Sequence, residues 1–287
     1  MTVNKPVTQS GSYTFDKDLT VNRLGFGAMR ITGPGIWGEP ADHNTAIAVL
    51  KTAVELGTNF IDTADSYGPE VSEKLIAEAL YPYPDDLLIA TKGGLVRPGP
   101  NQWAENGNPA HLRQACEASL QRLKLDRIDL YQLHRIDSKV PLADQIGVLI
   151  DLKNEGKIRH IGLSEVSLNQ LKEVEKMVNI ASVQNKYNLS ERNSEDVLTY
   201  CTKANIAFIP WFPLATGKLA QPGSVLEKMA NKLGVLSTQI ALAWLLQKSP
   251  VILPIPGTSS LQHLQENANA ALVKLDKDLM EELNGMG

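Results

Sequence analysis

Short apolar runs alternate with stretches of helical spacing eight times along this chain, and no other feature restricts its fold as strongly. Each run is five to seven residues long and mostly apolar, which is typical of strands buried on both faces of a parallel sheet. The runs lie at residues 24–29, 59–64, 87–92, 128–134, 160–164, 181–187, 206–211 and 251–256. Eight strand–helix units in this order predict an α/β fold, the (β/α)8 TIM barrel.

The stretches between the runs carry start and stop signals of helices. Residues 45–56 have apolar side chains at helical spacing. Pro109 and Pro141 each open a stretch, and proline suits this position because the first N–H groups of a helix have no partner within it. Gly156 ends the second stretch, and residues 276–284 are predicted to form a closing helix.

Two segments lie outside this alternation. The residues before 24 alternate in polarity around a polar turn at 16–18, so we expect a hairpin that plugs the lower end of the barrel. Residues 93–108 form the longest insertion, rich in Gly and Pro, and loops of this length are usually functional or disordered. The composition changes nowhere along the chain, so residues 1–287 are interpreted as a single barrel domain.

Composition excludes several classes of partner. The net charge is −4 and no basic stripe is present, so nucleic acid and anionic membranes are not expected to bind. No apolar run reaches the ~18 residues of a membrane span, and the N terminus has no apolar core of a signal peptide. Cys116 and Cys201 are too few for a disulfide framework and fit a reducing compartment. We therefore expect a cytoplasmic protein, a monomer or weak oligomer, that acts on a small molecule.

Groups that can exchange protons stand where three of the apolar runs end. The second predicted strand ends at Asp62, Tyr67 lies in the loop after it, the third strand ends at Lys92 and the fourth at His134. Active sites of such barrels lie at the C-terminal ends of the strands, so these four side chains are expected on one rim. Each of these residues taken alone could equally have a structural role. Their occurrence together on one rim indicates a function.

The chemistry of these four groups suits a carbonyl substrate. A nearby ammonium favours the ionised form of a phenol, whose pKa is ordinarily about 10, and a carboxylate would hold that ammonium charged. The His134 imidazole could donate a hydrogen bond to a substrate oxygen, and Asp65 and Ser66 are assigned to turn hydrogen bonds. Such a pocket would give a proton to a carbonyl that is becoming an alkoxide, and it needs an external hydride source.

The motifs around these residues resemble those of the aldo-keto reductases over nearly the whole chain. They are L-G-F-G-A-M (24–29), F-I-D-T-A-D-S-Y-G (60–68), A-T-K-G (90–93), D-L-Y-Q-L-H (129–134), G-L-S (162–164), V-Q-N-K-Y-N (183–188), P-W-F-P-L (210–214) and I-P-G-T-S-S (255–260). The resemblance implies a catalytic tetrad of Asp62, Tyr67, Lys92 and His134, with Tyr67 as the general acid. It also implies a nicotinamide cofactor across the barrel mouth.

The resemblance assigns the cofactor contacts as well. Ser164 and Gln184 match residues that hold the carboxamide, and Trp211 stands where an aromatic ring stacks on the nicotinamide. Glu165 replaces a usual asparagine, and His263 occupies a position often held by arginine, so NADP(H) is favoured and NAD(H) is less expected. The full implied set is Gly27, Met29, Ser164, Glu165, Gln184, Trp211, Pro213, Leu214, Gly217, Leu219, Gly257, Thr258, Ser259, His263, Glu266 and Asn267.

A flat aromatic aldehyde is the expected substrate, because the candidate pocket walls are largely aromatic. These walls are Met29, Trp37, Tyr67, Trp103 and Phe212; no metal site is expected. Within the family, V-N-R-L-G-F-G-A-M (21–29) and Q-I-A-L-A-W-L-L-Q-K-S-P (239–250) are similar to the bacterial pyridoxal reductases, which implies reduction of pyridoxal to pyridoxine.

Two other functions remain open at this point. A Schiff-base lyase or aldolase on the same barrel would use Lys92 as its nucleophile. A regulatory member of the family would bind NADP as a sensor without turnover, although the intact tetrad argues against this.

Overall fold

The computed structural model describes residues 5–214 and 223–286, and its centre is a curled parallel sheet. An N-terminal hairpin of β1 (Ser12–Asp16) and β2 (Leu19–Asn22) precedes it. The sheet has seven strands in chain order: β3 (Phe26–Gly27), β4 (Phe60–Asp62), β5 (Leu88–Gly93), β8 (Ile128–Leu133), β9 (Ile158–Ser164), β10 (Ser182–Gln184) and β11 (Ala207–Phe208). Every neighbouring pair is parallel, as βαβ connections require.

The last apolar run closes the sheet into a barrel without becoming a regular strand. Leu253 N donates to Phe208 O at 2.8 Å on one edge, and Gly25 N donates to Pro254 O at 2.9 Å on the other. Pro254 and Pro256 have no N–H, so the ladder cannot continue through them. The predicted (β/α)8 barrel is confirmed, with an eighth strand that is irregular.

Helices cover the outside of this barrel. In the described ranges they are α1 (His43–Glu55), α2 (Val71–Leu80), α3 (Pro109–Leu123), α4 (Leu142–Asn154), α5 (Leu168–Glu175), α6 (Glu195–Ala204), α7 (Val225–Leu233), α8 (Ser237–Lys248), α9 (Leu261–Asn269) and α10 (Lys277–Asn284). Asn108 caps α3 by accepting from Ala110 N at 2.9 Å, with Pro109 in the first turn as predicted. None of the described helices is long and apolar enough to cross a membrane.

The N-terminal hairpin covers the end of the barrel where the strands begin. Tyr13 donates its hydroxyl to Asn205 O at 2.7 Å, just before β11 starts. Asp16 accepts from Arg159 at 2.6 Å and from His160 at 2.9 Å, and both residues lie at the start of β9. The expected plug at the lower end is therefore present, and the opposite end of the barrel stays open.

The insertion after β5 is ordered and folds over that open end. It forms a small antiparallel pair, β6 (Leu95–Val96) and β7 (Ala104–Glu105). Arg97, which follows β6, donates to the carbonyls of Gly35, Ile36 and Ser66 at 2.9, 2.6 and 3.0 Å. Its guanidinium lies 3.7 Å from the ring centroid of Trp103. One cation thus fastens the insertion to the loops that follow β3 and β4.

Candidate active site

The ends of β4 and β5 bring a buried ion pair to the mouth of the barrel. Lys92 Nζ donates to Asp62 Oδ1 at 2.7 Å, to Thr63 O at 2.7 Å and to the Tyr67 hydroxyl at 3.3 Å. The side chains of Lys92 and Asp62 are 0% and 2% exposed. The amine is therefore shared between a carboxylate, a carbonyl and the phenol, with no competition from bulk water.

Two amides from across the barrel complete the surroundings of this carboxylate. Asp62 Oδ2 accepts from Gln132 Nε2 at 3.1 Å and from Gln184 Nε2 at 2.8 Å. Both oxygens of Asp62 are thus hydrogen-bonded, as a buried charge requires. The structure therefore directs the Gln184 amide nitrogen inward to Asp62, a contact that the sequence motif did not indicate.

A tight turn fixes Tyr67 above the ion pair. Gly68 has a φ of +97°, and a Cβ atom at this position would collide with the side chain of Val71, so only glycine fits. The Tyr67 ring meets the rings of His134 and Trp103 edge to face, with centroids 5.9 Å and 6.4 Å away. The phenol is thus held between the lysine below it and two rings beside it.

Burial decides the protonation state of Tyr67. Desolvation raises the pKa of the phenol, and the Lys92 ammonium offsets only part of this effect. Burial acts to lower the pKa of Lys92, yet the combined attraction of Asp62 and Tyr67 outweighs it and the pKa of the amine is raised. The cation therefore favours the phenolate as expected, but burial outweighs it, and the resting site holds a neutral phenol beside an ammonium.

His134 is a neutral imidazole. Burial holds its pKa well below the usual range, and the charges of Lys92 and Arg135 lower it further. Its Nδ1 lies 3.3 Å from the hydroxyl oxygen of Ser66. The assignment of the Ser66 side chain to a turn is thus incorrect, because this hydroxyl contacts the imidazole.

A cavity of about 590 Å³ opens above these groups. Its wall contains Asp62 and His134 of the tetrad and several residues of the predicted cofactor set: Gly27, Met29, Ser164, Gln184, Trp211, Pro213, Leu214 and Gly257. Tyr67, Trp103 and Phe212, predicted as substrate walls, also line it. One cavity therefore unites most of the residues that the sequence singled out.

Other predicted residues lie outside this lining. Trp37 packs beside Arg97, whose guanidinium carbon is 5.7 Å from the ring centroid, because the insertion draws that cation over the loop. Thr258 and Ser259 follow Gly257 directly, and His263, Glu266 and Asn267 lie on α9, beyond the cavity wall. Gly217 and Leu219 fall outside the described residues.

Glu165 supports the cavity wall from behind. Its Oε1 accepts from Trp211 Nε1 at 2.5 Å and from Lys186 N at 2.7 Å. Its φ of +55° lies in the left-handed region, which asparagine tolerates more readily than glutamate. Glu165, which stands where the family usually has asparagine, is therefore in contact with Trp211, the ring that is expected to stack on the nicotinamide.

Seven cavity residues were absent from the sequence prediction: Arg30, Ile36, Leu95, Glu105, Arg135, Ile255 and Pro256. Leu95 and Glu105 lie in the insertion, whose length already suggested a function. Arg135 follows His134 directly, so its position next to a predicted catalytic residue was a usable signal.

An ion pair, a phenol and an imidazole thus meet at the open end of a (β/α)8 barrel, and groups of this kind are able to give a proton to a carbonyl oxygen. The chain belongs to the Aldo/keto reductase family, which matches residues 23–287. The family and the enzyme class predicted from the motifs are thereby confirmed.

Three similar proteins extend this finding. An uncharacterized oxidoreductase of Schizosaccharomyces pombe is 56% identical over 94% of this chain and 88% of its own. Pyridoxine 4-dehydrogenase of Escherichia coli is 42% identical over 93% of this chain and 95% of its own, which bears out the resemblance to the pyridoxal reductase branch. An aldo/keto reductase from Klebsiella pneumoniae, solved in complex with NADP and acetate, superposes with a TM-score of 0.82 at 25% identity, covering 99% of this chain and 95% of that one.

Proposed function

We propose that this chain is an NADP(H)-dependent carbonyl reductase whose substrate is pyridoxal, which it reduces to pyridoxine. The observation that carries the proposal is the Tyr67 hydroxyl, 3.3 Å from the Lys92 ammonium, in a residue that lines the same cavity as His134. The Escherichia coli relative is named for pyridoxine, the product of this reduction. Trp103 and Phe212 give the cavity walls that suit a pyridine ring.

The residues of the site fit NADP(H), the cofactor of this chain. A Cβ atom on Gly27 would lie 2.6 Å from Ile255 O, so glycine at this position lets β3 approach the last apolar run closely at the cavity wall. Ser164, Gln184 and Trp211 would hold the nicotinamide end in the cavity. The amides at the start of α9, after Thr258 and Ser259, favour the phosphates. When bound, NADPH supplies the hydride that reduces the carbonyl carbon.

The tetrad supplies the proton. The substrate oxygen accepts hydrogen bonds from the Tyr67 hydroxyl and from the His134 imidazole. At pH 7 the phenol keeps its proton and the neutral imidazole keeps one N–H, so both groups are donors. As the oxygen gains negative charge, the proton passes from Tyr67 to it and an alcohol forms. The phenolate left behind lies next to the Lys92 ammonium, which stabilises it until water returns a proton.

The same geometry weighs against the two alternatives. A Schiff-base mechanism needs a neutral, accessible amine, whereas Lys92 is completely buried, paired with Asp62 and held charged by a raised pKa. A sensor without turnover has no need of a phenol placed between a buried ammonium and an imidazole. Borohydride trapping of substrate on Lys92 would nevertheless revive the first alternative.

Steady-state oxidation of NADPH tests the proposal, with pyridoxal compared against simple aldehydes and each assay repeated with NADH. We expect pyridoxal to have the highest kcat/KM and NADPH to exceed NADH. Tyr67→Phe should lose nearly all reduction while it still binds NADPH. Full activity in this variant would remove the mechanism, and slow turnover of every aldehyde with tight NADPH binding would favour the sensor.

We further propose that the protein acts in the cytoplasm as a monomer or weak oligomer built from one barrel domain. Cys116 and Cys201 are both buried free thiols, which suits a reducing compartment. Sedimentation over a range of concentrations tests the oligomeric state, and a tight dimer at nanomolar protein would contradict it.

A further inference from the structure

Arg135 is a cation on the cavity wall whose hydrogen-bonding capacity is only partly used. Its Nη1 donates to His134 O at 2.6 Å and to Ser164 Oγ at 3.0 Å. A guanidinium has five N–H donors in a rigid fork. In the part of the chain that the structure describes, Nε and Nη2 have no hydrogen-bond partner and no carboxylate lies within ion-pair distance, although the charges of Glu165 and Glu105 act on the guanidinium. One edge of the fork is therefore fastened to protein and the other remains for a ligand.

The place of this cation beside the reacting groups limits what it can bind. Arg135 follows His134 directly, lines the same cavity and exerts its charge on the Tyr67 phenol. A substrate whose carbonyl oxygen is held by Tyr67 and His134 therefore lies in a cavity whose wall also carries this guanidinium. On an aromatic aldehyde, the nearest substituent to that oxygen is the one on the adjacent ring carbon. A guanidinium with free donors favours an anionic oxygen at that point.

We propose that Arg135 is a substrate-specificity residue that binds an oxyanion on the ring carbon next to the aldehyde. The site then selects ortho-hydroxy aromatic aldehydes over those that lack the hydroxyl. Pyridoxal belongs to this class, because its ring hydroxyl adjoins the aldehyde and is ionised at neutral pH. This inference rests on the proposed function in one respect, that an aromatic aldehyde is reduced at Tyr67.

Pairs of aldehydes that differ only in the hydroxyl test this role. The kcat/KM values of salicylaldehyde and benzaldehyde are compared at a pH at which salicylaldehyde is ionised, for wild type, Arg135→Lys and Arg135→Gln. The measured quantity is the change of their ratio between variants, because intrinsic reactivity and any effect on the cofactor cancel in it. Arg113→Gln, a substitution on the surface of α3, is the matched control.

Arg135→Gln is expected to lower the ratio about 10-fold to 100-fold, the range for one lost hydrogen bond between charged groups. Arg135→Lys should lie between this variant and wild type, and Arg113→Gln should leave the ratio unchanged. A guanidinium that merely fastens His134 O to Ser164 would lower the rates for both aldehydes equally. An unchanged ratio in Arg135→Gln overturns the inference.

Binding provides a second measurement that does not depend on turnover. Calorimetry on the NADPH-saturated protein should show that wild type binds 3-hydroxypyridine-4-methanol more tightly than pyridine-4-methanol, which differs only in the ring hydroxyl, and that Arg135→Gln removes the difference. Equal affinities in wild type would count against the inference. The proposed function can fail separately: if pyridoxal is not reduced while the salicylaldehyde ratio still depends on Arg135, pyridoxal is the wrong substrate and the specificity role stands.

Discussion

Replacing Lys92 by methionine should destabilise the protein and remove carbonyl reduction together. The substitution keeps the volume of the side chain but leaves the Asp62 carboxylate buried without the ammonium that donates to it at 2.7 Å. Breaking a buried ion pair on one side costs about 3–5 kcal/mol. We expect the lower end, about 3 kcal/mol, because Gln132 and Gln184 still donate to the other oxygen. For a chain of this length, that is a fall in Tm of roughly 6 °C.

A double variant separates the structural from the chemical consequence. Asp62→Asn combined with Lys92→Met removes both charges, so no unpaired ion remains in the interior. The double variant should be more stable than Lys92→Met alone by about 2 kcal/mol, a coupling typical of residues in direct contact. Its reduction rate should remain about 10²-fold to 10⁴-fold below wild type, because the phenolate of Tyr67 still lacks its cation.

Urea unfolding followed by circular dichroism gives the two free energies, and NADPH oxidation gives the rates. A Lys92→Met protein as stable as wild type would refute the claim that Asp62 and Lys92 form a tightly coupled buried pair. A double variant less stable than Lys92→Met would refute it as well. Recovery of activity in the double variant would show instead that the cation has no part in the chemistry.

Three further predictions concern other parts of the site. Because the resting Tyr67 is a neutral phenol with a raised pKa and His134 is neutral, kcat/KM for reduction should stay flat from about pH 6 to pH 9 and fall only as the phenol ionises. Arg97→Lys should raise KM for the aldehyde about 10-fold, because an ammonium cannot bridge three carbonyls and stack on a ring; steady-state kinetics measures this. Glu165→Ala should weaken NADPH binding about 5-fold in wild type, which is the effect of one lost hydrogen bond. In a Trp211→Phe background the same substitution should weaken binding by less than about 2-fold, and fluorescence titration measures both effects.

Each of these predictions has a contradicting outcome. An inflection near pH 6.5 that disappears in His134→Gln would mean that the imidazole titrates at its ordinary pKa. Arg113→Lys, on the surface of α3, is the control for Arg97→Lys. Equal KM values for the aldehyde in these two variants would contradict the role of Arg97 in bridging the insertion to the neighbouring loops. Additive effects of Glu165→Ala and Trp211→Phe would show that the carboxylate does not act through the indole.

The barrel and its rim could be predicted because both follow from local pattern. Buried parallel strands appear as apolar runs, and the barrel rule then places Asp62, Lys92 and His134 at one end. The lengths of the strands were less predictable. The last apolar run forms no regular strand, because Pro254 and Pro256 have no N–H to donate. The two edge strands of the sheet, β3 and β11, are therefore joined to this run by isolated hydrogen bonds.

The contacts inside the site could not be predicted because they depend on distances between remote parts of the chain. Gln132 and Gln184 reach Asp62 from positions 70 and 122 residues away, and nothing near them in the sequence marks that carboxylate as their partner. The path of the insertion likewise decides that Trp37 packs on Arg97 and leaves the cavity wall to Trp103. Local sequence specifies which groups are available, whereas the fold specifies which of them meet.

The sign of the Tyr67 pKa shift explains why the lysine beside it is buried. An exposed phenol next to a cation would ionise more readily and would lose the proton that reduction needs. Burial opposes this, so the resting site keeps the proton on Tyr67 and the ammonium on Lys92 at neutral pH. In the proposed mechanism, the cation therefore acts mainly after the proton has moved, when a phenolate has replaced the phenol that lies 3.3 Å from it. Since interactions that strengthen only as the reaction proceeds accelerate it, the same desolvation that raises the pKa of the free phenol also increases the effect of Lys92 on the transition state.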